Sequence, residues 1–385
     1  MRSTFTGGRL FGIPIRINVS WFLSLAVLTG LLGGRVFPNV LPDLPPAAQW
    51  ALGLATALTF FLSIILHELG HALVARTFGI PVRSITLFLL GGVAQIGQEA
   101  KRPLTEFLIA VVGPAVSLAL AALCLGLMLL IGGPHSPAGV MFITLFGLNL
   151  SVGLFNLAPG FPMDGGRVFR ALIWGISGSH SWATRIAAWT GRGFAAVLIV
   201  LGLFAVVGVR GLPLQADGFT AISMILIGLY LDGAARASLE TMRLLEYLSA
   251  YRAGDLMLRD VPIISAGARL QEFLPEMLAA RDCDAAFVAE YAGESEADAG
   301  RMIGLLPRGL AITVPERDRS RLTALDLMLP AHTLHPAAPE DDAAGLLQRL
   351  EGEGLVAVPV VAGGEVLGLI GRSTLAHLLA RRGRG

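Results

Sequence analysis

The sequence predicts a polytopic α-helical membrane domain followed by a soluble α/β domain, and three observations carry that prediction. Of 385 residues, 54% are hydrophobic and 15% charged, whereas ordinary soluble proteins carry about a quarter charged residues. Mean hydropathy is +0.69. The charge is also unevenly distributed. Residues 1–235 hold 13 of the 29 Lys and Arg and 7 of the 28 Asp and Glu, net +6, and the remainder is net −5. A chain with this split is read as a membrane domain, 1–235, a linker helix, 236–249, and a soluble domain, 250–385. Cys124 and Cys283 fall in different domains, so neither domain has a disulfide or a cysteine zinc site of its own.

Six apolar runs are long enough to cross a bilayer, which takes roughly 20 residues. They are about 17–34, 47–77, 104–131, 138–157, 184–208 and 217–234. The first lacks a small-x-small cleavage site and is followed by five more, so it is read as a span and not as a signal peptide. With the N-terminus inside, eleven Lys and Arg of the membrane domain face the cytoplasm, and only Arg35 and Arg210 face outward. This positive-inside bias predicts a multi-pass protein of the plasma membrane with both termini cytoplasmic.

The second span contains "FLSIILHELGHALVARTFG", residues 61–79. His67 and His71 are four apart and share one helix face. Neutral imidazoles at that spacing can ligate one zinc ion, with Glu68 beside it as general base. By composition alone, H-E-x-x-H would arise by chance in about one chain in a hundred of this kind. Its depth, roughly 15 Å from the inner end of the span at 1.5 Å per residue, adds weight, because ionisable groups at membrane depth are costly and by default functional. The bland alternative is a pair of hydrogen-bonded histidines in a helix bundle.

Two histidines leave a catalytic zinc site one protein ligand short. Asp164 is a candidate. It lies in "NLAPGFPMDGGR", 156–167, just after the fourth span, where Pro159, Gly160, Pro162, Gly165 and Gly166 break the helix. Irregular backbone at membrane depth is tolerated where it lines a cavity or is buried in protein. From the residues alone the better reading of Asp164 is the N-cap of the next helix, and the ligand reading gains weight only because the histidine pair needs a third donor.

HELGH in one span, together with N-x-x-P-x-x-P-x-D-G-G, resembles the site-2 protease family of intramembrane zinc metalloproteases over roughly residues 10–235. The resemblance implies one zinc ion per chain held by His67, His71 and Asp164. It also implies that Glu68 is the catalytic base and acid and that Asn156 stabilises the oxyanion, although without the resemblance Asn156 reads as a helix C-terminal residue bonding local backbone. "RSITLFLLGGVAQIGQEA", 83–100, is rich in β-formers and reads as a short hairpin turning at Gly91-Gly92. The resemblance makes it a re-entrant β element, with Gly91, Gly92 and Gln95 as candidate substrate contacts. A structural loop is the equal alternative. Gly113-Pro114 reads only as a kink in the third span, and Asp232 is expected to pair with Arg236 at helix spacing.

Residues 250–385 contain an internal repeat. Asp255-Leu256-Met257 returns as Asp326-Leu327-Met328, and each half reads helix, short strand, helix, strand, strand, helix. This resembles a tandem pair of CBS domains. Such pairs often bind adenine nucleotides, but the acid that holds the ribose is missing from both "GLLPRGLAITV" and "GLIGRSTLAHLL". Ser373 and Thr374 remain candidate phosphate contacts. A regulatory or dimerisation module is therefore expected rather than a nucleotide sensor.

The expected activity is an intramembrane zinc endopeptidase that cuts single-span membrane proteins in or near their helices, in regulated intramembrane proteolysis. Its partners would be that substrate, the lipid bilayer and a second copy through the CBS pair, with no nucleic acid. The rival from another class is a non-enzymatic membrane metal-binding protein or transporter using the same histidines. The nearly apolar outer halves of the spans argue against a transport path.

Overall fold

The computed structural model describes residues 4–89, 91–207, 218–279, 283–290, 301–352 and 354–382. The chain forms two compact units, Met1–Met242 and Arg243–Gly385.

The first unit opens with strands β1 (Thr4–Leu10) and β2 (Ile13–Asn18). They are joined by a tight turn in which Phe11 and Gly12 both have positive φ, +50° and +78°, as a two-residue hairpin of the I′ kind requires. Helix α1 (Val19–Leu31) follows, capped by the Asn18 side chain on the Ser20 amide. It runs on through a π turn at Leu32–Val36 into α2 (Phe37–Val40). Then come α3 (Pro46–Thr77), β3 (Val82–Phe88) and β4 (Gly91–Ile96). Next are α4 (Pro103–Leu130), α5 (Pro137–Asn156), α6 (Asp164–Ser177), α7 (His180–Val207) and α8 (Gly218–Ser249). Prolines open α3, α4 and α5, where the missing N–H costs no helical bond.

Among the described residues, six helical stretches are long and apolar enough to span a membrane: Val19–Val40, Pro46–Thr77, Pro103–Leu130, Pro137–Asn156, His180–Val207 and Thr220–Ser249. They match the six predicted runs. Their packing follows membrane logic. Small residues fill the interfaces (Ala57, Ala72, Ala75, Ala110, Ser117, Ala187 and Ala195 are all buried), and large apolar side chains such as Leu62, Leu123, Leu130, Val207 and Ile222 face outward. Lipid supplies no hydrophobic drive between helices, so close backbone approach by small residues does the packing.

The hairpin expected at 83–100 is β3–β4, but it is half of a larger element. The sheet has four strands in the order β1-β2-β3-β4, with β2 and β3 parallel and the other pairs antiparallel. Gly91 and Gly92 do not form the turn. They sit inside β4, opposite Phe88 and Leu87. Gly91 has φ +138°, a conformation open to glycine. The sheet lies on α3 through Ile13, Ile15 and Ile85 against Leu69 and Ala72, and through Leu87 against Phe61 and Trp21. This packing holds β4 beside the middle of α3.

The linker expected at 236–249 is not a separate helix, because α8 runs unbroken from Gly218 to Ser249. Asp232 pairs with Arg236 as expected, 2.5 Å, and also accepts a hydrogen bond from Arg192 Nε, 2.8 Å.

The second unit has the repeat its sequence predicts. One half reads α9 (Ala253–Leu256), β5 (Ile263–Ser265), α10 (Leu270–Ala279), β6 (Ala285–Glu290), β7 (Arg301–Pro307) and α11 (Arg308–Thr313). The other reads α12 (Ala324–Leu327), β8 (Leu329–Pro330), α13 (Ala343–Gly352), β9 (Ala357–Ala362), β10 (Glu365–Gly371) and α14 (Arg372–Arg382). This is the architecture expected of a CBS pair. The halves exchange their leading segments. Leu329 pairs with Leu305 across β8 and β7, and Leu258 pairs with Leu369 of β10. Gly304 and Gly368 make both crossings possible, since a Cβ there would lie 2.6 Å from Leu329 O and 2.4 Å from Leu258 O, respectively.

Candidate active site

Helix α3 places His67 and His71 one turn apart, each 4% exposed, with their Nε2 atoms 3.2 Å from one another. Asp164 reaches them from the start of α6. Its Oδ2 lies 3.0 Å from His67 Nε2 and 3.2 Å from His71 Nε2. The N-cap of α6 is Met163, and the Asp164 side chain makes no capping bond. The helix-cap reading of Asp164 is therefore set aside, and its carboxylate belongs to the histidine pair.

Glycines bring Asp164 there. A Cβ on Gly165 would lie 2.4 Å from Leu157 O, one on Gly166 2.3 Å from Gly160 C, and one on Gly160 2.4 Å from Gly191 Cα. The chain folds back on itself between α5 and α6 only because these side chains are absent. The two glycines after Asp164 are thus a packing requirement.

Among the described residues, His67, His71 and Asp164 form a group whose ligand atoms lie within 4.8 Å of one another. Zinc bonds of 2.0–2.2 Å in tetrahedral geometry place ligand atoms about 3.3 Å apart. The separations here are 3.0–3.2 Å. A second observation supports the fit. A Cβ on Gly113, in α4, would lie 2.1 Å from His71 Nε2 and 2.7 Å from His67 Nε2. Residue 113 lacks a side chain at the place where the two imidazoles converge. Two histidines and one carboxylate are also the donor set of a catalytic zinc with one position left open.

Helix α4 orients both rings. His71 Nδ1 lies 2.6 Å from Ile109 O. A carbonyl only accepts, so Nδ1 carries the proton and Nε2 presents its lone pair to the site. His67 Nδ1 lies 2.9 Å from Ser117 Oγ. Ile109, Gly113 and Ser117 follow at four-residue spacing on one face. Sequence reading missed all three. A backbone carbonyl has no signature in sequence, and Gly and Ser are ordinary in membrane helices; the adjacent Pro114 suggests only a kink.

Glu68 is half-buried, on the sheet side of α3. Its Oε2 accepts the Ala94 amide of β4 at 2.9 Å. A Cβ on Gly92 would lie 2.7 Å from Glu68 Cγ. Gly92 therefore makes room for the carboxylate, and Gly91 begins the strand. Gln95 accepts a hydrogen bond from the buried Ser84 hydroxyl at 3.0 Å, so in this structure its side chain is engaged within the sheet. Asn156 closes α5, half-buried, at the head of the glycine-rich fold-back.

Comparison with known proteins covers the same ground. The model of peptidase family M50 matches residues 55–146 and 135–201, which include every residue of the histidine–aspartate group. A Synechocystis protein with a provisional zinc metalloprotease name is 34% identical over 384 residues, 98% of this chain and 96% of its own. The solved site-2 protease from Methanocaldococcus jannaschii is 29% identical, covering 61% of this chain and 95% of that one, with a TM-score of 0.42. The CBS domain of a bacterial CNNM/CorC family Mg2+ transporter is 19% identical, covering 37% of this chain and 95% of that one, with a TM-score of 0.30. With one-third identity sustained along nearly its whole length and a His-His-Asp centre carried on apolar helices, this chain belongs to peptidase family M50, as a membrane zinc metalloprotease of the site-2 protease type.

Proposed function

We propose that the protein hydrolyses peptide bonds in or near the transmembrane helix of single-span membrane proteins, in regulated intramembrane proteolysis. One observation carries this reading. The three ligand atoms converge beside the middle of the membrane-length helix α3, two from that helix and one from α6, and the neighbouring Glu68 is hydrogen-bonded to the edge strand of a sheet.

In this reading His67, His71 and Asp164 hold zinc. The ion supplies a Lewis acid and a bound water of pKa near 7. Glu68 takes a proton from the attacking water and returns it to the leaving amine. The Asn156 amide donates to the oxyanion as charge develops. Among the described residues β4 pairs with β3 on one side only, and its other edge carries the Ala94 amide that Glu68 accepts. A substrate segment unwound from its helix would add to that edge as a further strand, beside Gly91 and Gly92. Unwinding is required because peptide bonds within a helix are shielded from attack.

The eleven-to-two distribution of basic residues supports a cytoplasmic location for both termini and for the CBS pair. We assign that pair a regulatory or dimerising role. At the start of α14, Asp284 Oδ2 accepts both the Ser373 amide, 2.7 Å, and the Ser373 hydroxyl, 2.9 Å. An internal carboxylate thus takes the groups that a nucleotide phosphate would use, which weighs against an adenine nucleotide at that helix end.

The test compares wild type, His67→Ala, Asp164→Ala and Glu68→Gln for zinc content and for cleavage of a single-span reporter in liposomes. The reading expects zinc in wild type and in Glu68→Gln, its loss in the other two, and cleavage by wild type alone. Cleavage by Glu68→Gln at the wild-type rate would falsify the assigned role of the glutamate. Zinc retained in Asp164→Ala would remove the aspartate from the ligand set.

A further inference from the structure

Asp164 belongs to α6, whereas the histidines belong to α3, and the centre exists only if these two helices keep one relative register. Both contact α4. On the α3 side, α4 holds the rings through Ile109 O and Ser117 Oγ. On the α6 side it offers Glu106, three residues before Ile109. Glu106 is 1% exposed and accepts a hydrogen bond from Arg170 Nε at 2.6 Å; a second Arg170 nitrogen, Nη2, meets the same oxygen. Arg170 is 8% exposed and lies on α6, six residues beyond Asp164, about 9 Å along the helix axis. Its guanidinium also sits over the Phe161 ring, 5.0 Å from the centroid. Phe161 lies in the fold-back that delivers Asp164, and its amide donates to Ala187 O at 3.2 Å.

This pair is a poor device for stability. Desolvating two charges costs as much as the pair returns unless the remaining polar atoms are satisfied. Glu106 Oε2 is buried without a hydrogen-bond partner among the described residues. Buried groups left unsatisfied call for an explanation other than stability, and a forked, stacked guanidinium fixes direction in a way that apolar contacts do not.

We propose that Glu106 and Arg170 are positioning residues for the metal centre. The pair locks the axial register and rotation of α6 against α4, so that the Asp164 carboxylate meets the histidines that α4 also holds. The proposal rests on the reading of His67, His71 and Asp164 as zinc ligands. Neither residue touches the reacting atoms. Their effect passes through Asp164.

The experiment measures zinc affinity of the purified full-length protein by competition with a chromophoric chelator, together with the unfolding midpoint of the zinc-free form. The first variant is the double substitution Glu106→Gln with Arg170→Met, which removes both charges and leaves no lone buried ion. The second is Arg170→Lys, which keeps the charge and loses the fork and the stacking. The expected result is a zinc affinity at least tenfold weaker in the double variant, the range found when groups behind metal ligands are removed. Arg170→Lys falls between it and wild type, zinc-free midpoints stay near wild type, and cleavage recovers at saturating zinc. A purely structural pair would instead lower the zinc-free midpoint and leave the affinity of the folded protein unchanged. Wild-type zinc affinity in either folded variant overturns the proposal. If the double variant does not fold, Arg170→Lys decides by the same criterion. A wild type that binds no zinc overturns the metal reading and the proposal with it, which separates that failure from a failure of positioning alone.

Discussion

Gly113→Ala adds one methyl group and tests the geometry of the centre directly. The new Cβ would lie 2.1 Å from His71 Nε2, where ordinary contact begins at 3.4 Å, and 2.7 Å from His67 Nε2. The shortfall at His71 is 1.3 Å. A flexible side chain could swing away at little cost, but these rings are pinned at the other nitrogen, His71 by Ile109 O and His67 by Ser117 Oγ. Relief therefore means breaking those bonds or moving α4, and either displaces a ligand atom by about 1 Å. Misplacement of that size costs on the order of a hundredfold in rate. Helix propensity works the other way, since alanine is favoured over an interior glycine by about 1 kcal/mol, so loss of zinc could not be blamed on a weakened helix. The assay is zinc content by elemental analysis and cleavage of a single-span reporter, with circular dichroism as the control on folding. The expected outcome is a folded protein that has lost its zinc and at least about 99% of its cleavage rate. A Gly113→Ala protein with wild-type zinc and wild-type cleavage would refute the assignment of the space beside Gly113 to a metal.

Three further outcomes are expected. Ser117→Ala removes the partner of His67 Nδ1 and should weaken zinc affinity roughly tenfold or more, measured by chelator competition. Gly92→Ala puts a Cβ 2.7 Å from Glu68 Cγ; it should depress cleavage while leaving zinc content unchanged, and parallel loss of both would place Gly92 in the ligand framework instead. In the second unit, Asp326 accepts the Thr323 amide and hydroxyl at 2.8 and 2.7 Å, and these bonds hold its carboxyl below the usual range. A depressed folded pKa stabilises above the unfolded value of about 3.9 and ceases to do so as pH falls through the folded value. Asp326→Asn should therefore lower the unfolding midpoint at pH 7, and the gap to wild type should close below about pH 4; a gap independent of pH would assign the effect to packing.

Features written in local periodicity are legible in the amino-acid sequence alone. Six apolar runs, the basic bias of the inner loops and the four-residue spacing of His67 and His71 are properties of contiguous segments. So is the twofold return of Asp-Leu-Met in the second domain, where the predicted element order is the observed one. Partnerships between distant segments are less so. The hairpin at 83–100 can be read from its β-formers, but its two extra strands cannot, because β2 reaches β3 in parallel across α1, α2 and α3. The Gly91-Gly92 pair reads as a turn and is instead a strand segment whose missing side chain accommodates Glu68.

The sequence by itself determined that this chain has membrane-length helices and that one of them carries two histidines on one face next to a glutamate. Spacing along a helix is enough to say which residues share a face. It left Asp164 between helix cap and ligand, with only a family resemblance to choose. Only the tertiary structure brought Asp164 to the histidines, because a carboxylate 93 residues from His71 becomes a ligand candidate when glycine-permitted backbone contacts fold the chain back on itself. The same holds for Gly113, Ser117 and the Ile109 carbonyl. Their roles are to leave space and to hold a ring, and neither role exists until another helix is packed against them.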